Sequence, residues 1–176
     1  MLQSENGLLD MSPFTTEETV NADMINAGKQ TITAITGASI FSSTESFATI
    51  RGGYVDLTVL GAFEVDVIGN IAFWMTLKKL IKEMGGAMDL IAGADNIIMT
   101  MTHASKHGES KLLPECTLPL TGSGCIHKVL TDIAYIEINE GKFWLKERAP
   151  DISVDEIVSK TVGKIVVSNT VSEMKF

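Results

Sequence analysis

The stretch Val55-Asp56-Leu57-Thr58-Val59-Leu60-Gly61 sets β-branched and apolar residues around one acid and one threonine, then stops at a glycine. That content suits a strand covered on both faces, with the glycine marking a turn. Upstream, Thr31 to Ile35 reads as another strand, ending at Gly37. Between the two strands lies Ser42-Ser43-Thr44-Glu45, a capping box that opens a helix carrying Phe47, Ala48 and Ile50.

The alternation continues downstream. Ile68-Gly69-Asn70 is a turn signal, and Leu77-Lys78-Lys79-Leu80-Ile81-Lys82 reads as helical until Gly85-Gly86 breaks it. Ala87 to Ala92 predicts a short helix and Asn96 to Thr102 a strand; His103 to Ser110 is polar and loop-like, and Ile126 to Thr131 reads as another short helix. Asp132 to Ile138 and Lys142 to Lys146 alternate around Asn139-Glu140-Gly141, a β-hairpin pattern. Ser153-Val154-Asp155-Glu156 is a second capping box, and Lys164 to Ser168 a last strand. Strands alternating with helices predict an α/β fold, a layered α/β/α domain with a largely parallel sheet and a C-terminal β-hairpin. One domain is expected over 1–176, with 169–176 as a flexible tail. In such sheets ligands gather at the carboxyl ends of strands, where glycine-rich turns such as Gly37, Gly52-Gly53, Gly61 and Gly85-Gly86 admit close backbone approach.

Composition narrows the function classes. The 176 residues are 45% hydrophobic, enough for a substantial core. The net charge of −8 argues against a general nucleic-acid binder, which needs a basic face. No apolar run approaches the roughly 20 residues that cross a bilayer, and no secretory signal is visible. Cys116 and Cys125 form no CxxC and read as free thiols in a reducing cytosol, so a soluble cytoplasmic protein is expected.

Individual residues leave alternatives open. His103 and His107 are four apart, but in a loop with no third ligand, which reads as two surface histidines and no metal site. Nucleophile-elbow, P-loop and dinucleotide fingerprints are missing. Gly85-Gly86 before a helix fits either an oxyanion-binding pair of N–H groups or a plain turn. Lys78, Lys79 and Lys82 fit either a polyanion contact or a solvated face. Glu5, in Ser4-Glu5-Asn6-Gly7 between Leu2 and Leu8-Leu9, is either an idle terminal charge or a carboxylate held at the edge of a core.

Several strings then fall into one order: LQSENGLL, DMINAGKQTIT, GASIFSSTESFATIRGGYVDLTVLGAFEVD, GNIAFWM, MGGAMDLIAGA and ECTLPLTG. Over nearly the whole chain, fading after about Ser168, this closely resembles the B subunit of the 3-oxoacid CoA-transferases. The resemblance implies covalent carboxylate catalysis, with Glu5 of the S-E-N-G motif as nucleophile toward an acyl-CoA and a glutamyl–CoA thioester as intermediate. It implies Gly86 as the backbone N–H donor to the oxyanion, with Gly85 allowing the approach. Asn6, Lys79 and Lys82 accompany these as substrate-binding candidates. The resemblance further implies short-chain carboxylic or 3-oxo acids as the other substrates, and an A subunit as partner in an A2B2 assembly. No cofactor and no metal are implied; CoA is a substrate.

The chain departs from the family in several places. The strand, glycine-rich loop and helix expected before S-E-N-G, about 40 residues on the scale of a βα unit, do not precede it here. Glu64 stands where the family has Gln, Phe73 for Asn, Thr76-Leu77-Lys78 for Ile-Pro-Gly and Glu83 for Gly. Glu64 and Glu83 are expected to add negative charge where anionic substrates approach. These departures support a second expectation, a truncated or diverged non-catalytic subunit that only associates with an A-type partner.

Overall fold

The computed structural model describes every residue except 27, 74, 77–79, 82–84 and 176. The chain forms two compact units, Met1–Val55 and Asp56–Phe176.

The first unit holds strands β1 (Gln3–Ser4), β2 (Leu8–Phe14) and β3 (Ile32–Ile40), followed by helix α1 (Ser43–Arg51). The three strands form an antiparallel sheet in the order β1-β2-β3. Contrary to the sequence expectation, β3 does not stop at Gly37. Pairing steps from Leu9↔Ser39 to Met11↔Ala34, so residues 35–38 bulge, and Asp10 opposite takes a positive φ of 65°. Gly37, at φ 95°, permits the bulge where an ordinary residue would be strained. The capping box of α1 is complete: Ser42 Oγ accepts from the Glu45 N–H at 3.2 Å, and the Glu45 carboxylate accepts from the Ser42 N–H at 2.9 Å.

The second unit holds β4 (Thr58–Gly61), β5 (Glu64–Asp66), β6 (Ile71–Ala72), β7 (Met75–Thr76), β8 (Leu80–Ile81), α2 (Ala87–Gly93), β9 (Ile97–Met101) and β10 (Leu112–Leu113). Then come β11 (Lys128–Thr131), β12 (Ala134–Asn139), β13 (Lys142–Arg148), α3 (Val154–Lys160) and β14 (Ile165–Glu173). Its six-stranded sheet runs β14-β13-β12-β11-β9-β4. The β13–β14, β11–β9 and β9–β4 pairs are parallel, and the two pairs of the hairpin region are antiparallel. The fold is thus mixed α/β with a largely parallel central sheet. Phe143, Met99, Val129, Ile136 and Leu145 are fully buried on it, with Ile157 of α3 and Leu112 of β10 in the same core.

Several elements differ from expectation. β4 begins at Thr58, because Asp56 O accepts from the Asn96 side chain before the ladder starts. It is an edge strand of the sheet, and its alternate residues show one covered face and one open one, Thr58 being buried and Val59 exposed, so it is not covered on both faces. The helix expected over Ile126 to Thr131 is strand β11: Lys128 to Thr131 alternate half-buried, buried, exposed, buried, a period of two that pairs with β9. The helix expected over Leu77 to Lys82 lies mostly outside the described residues, and the described β7 and β8 pair antiparallel. The expected tail is strand: after a register break, Ser172 and Glu173 pair with Glu147 and Arg148, an Arg148–Glu173 ion pair closes at 2.7 Å, and Met174 is buried.

The hairpin is as the sequence predicts. Glu140 and Gly141 both take positive φ, the two-residue turn whose twist matches that of the strands it joins. The second capping box is closed on one side: Ser153 accepts from the Glu156 N–H, while the Glu156 carboxylate reaches Lys160 at 2.6 Å.

His103, expected at the surface, is 1% exposed. Its ring nitrogens lie 3.1 Å from Thr131 Oγ1 and 2.9 Å from Thr161 Oγ1, and its main-chain N–H donates to the Asp132 carboxylate. His107 is exposed. Burial pushes the His103 imidazole down to about 4; the Asp132 carboxylate opposes the shift and Lys160 adds to it. The unfolded chain therefore takes up a proton below pH 6.5 that the native state refuses until about pH 4. Stability attributable to this group falls as pH drops through that window, by about 3 kcal/mol in all. Chemical denaturation of wild type and His103→Gln at pH 7 and pH 4 should show the acid loss smaller in the variant by about that amount.

Candidate active site

The Glu5 carboxylate sits on the turn between β1 and β2. The Gly7 N–H donates to Ser4 O at 3.0 Å, closing Ser4-Glu5-Asn6-Gly7 as a β-turn. Gly7 is buried with φ 113°, and a Cβ there would stand 2.1 Å from Phe41 O. Only glycine fits, and the close approach is used: the Phe41 N–H donates to Gly7 O at 2.9 Å. Below the turn Ser4 and Leu8 are buried, and Gln3 Nε2 donates to Ser46 Oγ of α1. Glu5 is half-buried, and its carboxylate has no hydrogen bond or ion pair among the described residues. A fixed backbone thus carries a carboxylate whose lone pairs no described residue fills.

Asn6 is exposed, and its Nδ2 donates to Ile25 O at 2.8 Å. A cavity of about 270 Å³ opens beside it, walled by Asp23 to Ile25 and by Ile40 and Phe41.

Gly85 and Gly86 belong to the second unit. Gly85 is exposed with φ 51°, and Gly86 (φ −75°, ψ 0°) is the residue before α2, its carbonyl accepting from the Leu90 N–H at 3.0 Å. Glu5 and the glycine pair are each described within their own unit. Lys79, Lys82, Lys78 and Glu83 lie outside the described residues.

A polar network in the second unit goes beyond what the sequence suggests. Asp66, 0% exposed, accepts from the N–H groups of Ile68, Asn70 and Cys116 and from Asn70 Nδ2, at 2.9–3.2 Å. Asn70 Oδ1 in turn accepts from Ser123 Oγ and the Gly124 N–H. A signal for it exists in Asp66-Val67-Ile68-Gly69-Asn70, an acid followed by a Gly-Asn turn whose N–H groups it can cap. Glu64, expected as an added charge toward ligand, is bound by the Thr117 N–H and hydroxyl at 2.7 Å and the Leu118 N–H at 3.0 Å. A cavity of about 460 Å³ lies beside Asp66, Asn70 and residues 115–120. Burial, then the neighbouring Asp66, Glu64 and Glu115 carboxylates, push the Cys116 thiol up to about 12. Among the described residues no cluster of His, Cys, Asp and Glu is placed to hold a metal ion, and no helix is long and apolar enough to cross a membrane.

The fold is that of a CoA-transferase: glutaconate coenzyme A-transferase from Acidaminococcus fermentans superposes with a TM-score of 0.69 at 17% identity, over 97% of this chain and 71% of that one. Residues 1–160 match the coenzyme A transferase family model, and the chain belongs to that family. It is 50% identical over 171 residues to the B subunit of the probable succinyl-CoA:3-ketoacid coenzyme A transferase of Bacillus subtilis (strain 168), covering 97% of this chain and 79% of the relative. It is 45% identical over 174 residues to the beta chain of the acetate CoA-transferase of Haemophilus influenzae, covering 99% and 78%.

Two outcomes check the geometry. Gly7→Ala should lower stability by about 1–3 kcal/mol, because both the φ and the Phe41 contact oppose a side chain; a thermal or urea melt measures this. Cys116 should alkylate far more slowly at pH 8 in the folded protein than after denaturation, which timed iodoacetamide labelling followed by mass analysis reads out.

Proposed function

We propose that this chain is the B-type subunit of a CoA-transferase and that Glu5 carries the CoA during turnover. The observation behind this is the locked Ser4–Gly7 turn, which presents a partly exposed carboxylate with no partner among the described residues. A carboxylate is a weak nucleophile, so a thioester yields to it only when position and oxyanion stabilisation are supplied in advance.

The reaction balances without a metal or organic cofactor. A Glu5 oxygen attacks the acyl-CoA carbonyl, the C–S bond breaks, and a glutamyl–acyl anhydride and CoA thiolate result. The thiolate attacks the Glu5 carbonyl carbon, releasing the first acid and leaving a glutamyl–CoA thioester. The acceptor carboxylate attacks that thioester, and the freed thiolate then takes the acceptor acyl group, restoring Glu5. Negative charge gathers on a carbonyl oxygen at each step. The Gly86 N–H, preceding the first turn of α2, is the donor we assign to it, with Gly85 giving the backbone room. Lys79 and Lys82 are assigned to the anionic groups of CoA and the acid. The names of the relatives, succinyl-CoA:3-ketoacid and acetate CoA-transferase subunits, support an exchange of that type and a second kind of subunit as partner. Within that reading we assign succinyl-CoA or acetyl-CoA as donor type, a 3-oxoacid such as acetoacetate as acceptor, and an A2B2 assembly.

The test is made on the complex assembled with an A-type partner. Incubation with acetoacetyl-CoA followed by borohydride should leave a reduced residue at Glu5, found by peptide mass analysis. Glu5→Ala should lose the adduct and at least about 10³-fold in kcat. Exchange that persists in Glu5→Ala overturns the assignment; a complex that assembles but never forms the adduct supports an association-only subunit.

A further inference from the structure

We propose that Asn6 is a positioning residue, whose side-chain amide ties the turn bearing Glu5 to the base of β3, in place of the substrate-binding role the sequence suggests. This rests on the assignment of Glu5 as nucleophile. Among the described residues of its own unit, two hydrogen bonds join the turn's residues to segments outside the β1–β2 hairpin. One is backbone to backbone: the Phe41 N–H donates to Gly7 O, just beyond the end of β3. The other is Asn6 Nδ2 to Ile25 O at 2.8 Å, 19 residues away in sequence.

The second attachment reaches a firm abutment. Ile25 bridges to Thr31, Met24 O accepts from the Ile32 N–H at 3.0 Å, and the Asn26 N–H donates to Gln30 O at 2.9 Å. Asn26 Oδ1 also accepts from the Gln30 N–H at 3.0 Å. The Ile25 carbonyl is therefore fixed at the start of β3, while Phe41 lies past its end. Strand pairing and the Gly7–Phe41 bond hold the two ends of the turn, at Ser4 and Gly7–Leu8, whereas the Asn6 tie holds its tip, which without it can shift against those ends. Glu5 lies between the two anchors and the β1 strand, so such a shift moves its carboxylate directly. A displacement of about 1 Å at a reacting group is enough to cost on the order of 100-fold in rate.

An asparagine supplies this where other small polar residues would not. Its amide offers an N–H donor on a short, two-torsion side chain. Aspartate has the same shape but presents only acceptors when ionised, and would face the Ile25 carbonyl with like polarity. Because Asn6 is exposed, its bond competes with water and adds little to global stability. Geometry at Glu5 is what it governs.

The test uses the full chain assembled with an A-type partner, comparing wild type, Asn6→Asp and Asn6→Ser. In both variants kcat should fall about 10- to 100-fold, with KM for acyl-CoA and acceptor acid within about threefold of wild type. Hydrogen exchange in the resting protein should quicken in peptides covering residues 4–7 and 24–26 and stay unchanged in β12 and β13, which shows that the fold is intact. A KM raised tenfold or more at unchanged kcat would make Asn6 a substrate ligand and overturn the proposal. Unchanged kinetics with unchanged exchange would overturn it as well. The exchange measurement needs no turnover, so it decides the tie even if Glu5→Ala shows that the nucleophile lies elsewhere.

Discussion

The close passage of Gly7 against Phe41 governs the first unit. One residue without a side chain allows a hydrogen bond between two backbone segments more than thirty residues apart in sequence. Phe41 directly precedes Ser42, the N-cap of α1, so the bond couples the Glu5 turn to a helix start that is itself closed by a complete capping box. Strand pairing adds Leu8↔Ile40 on one side, and the Gln3–Ser46 bond adds a tie from β1 to α1. The turn bearing Glu5 is fixed mainly by main-chain geometry. The Asn6 side chain adds one further tie, to the Ile25 carbonyl, on the face of the turn that these main-chain bonds do not reach.

In the second unit the comparable role falls to a buried charge. Removing a carboxylate from water is expensive unless its lone pairs are filled, and Asp66 fills them with four N–H donors from the turn it precedes and from Cys116. Asn70 extends the same network to Ser123 and Gly124. Loops that carry few core side chains are thereby held to β5. The cavity beside them is walled by groups whose polar atoms are largely committed to one another.

Local signals in the sequence are legible because local chemistry decides them. The Ser42–Glu45 box, the Glu140-Gly141 turn and the short helix after Gly85-Gly86 all depend on residues within four positions of one another. Lys128 to Thr131 misleads because a short apolar run has no intrinsic period strong enough to separate helix from strand; pairing with β9 decides it. The burial of His103 is invisible in the sequence because its partners, Thr131 and Thr161, lie 28 and 58 residues away. The end of β14 is hidden for a similar reason, since polar Ser172 and Glu173 are strand only by virtue of Glu147 and Arg148. At the candidate site, Glu5 and the glycine pair stand out as motifs, whereas the Asn6–Ile25 tie has no sequence pattern to announce it.

Glu64 shows how a charge counted along the chain differs from a charge facing a ligand. Read in sequence, it replaces an amide with a carboxylate near the expected approach of anionic substrates. In the structure its two oxygens accept from two main-chain N–H groups and one hydroxyl of residues 117 and 118. An amide at this position could accept the two N–H groups with its oxygen, but its NH₂ would then meet the Thr117 hydroxyl, which must reverse to accept. The carboxylate satisfies all three donors without that reversal, and charge-assisted bonds of this kind are the stronger ones. The substitution therefore acts first on the loop that Glu64 grips. Any effect on an approaching anion is reduced by the donors already turned toward the carboxylate.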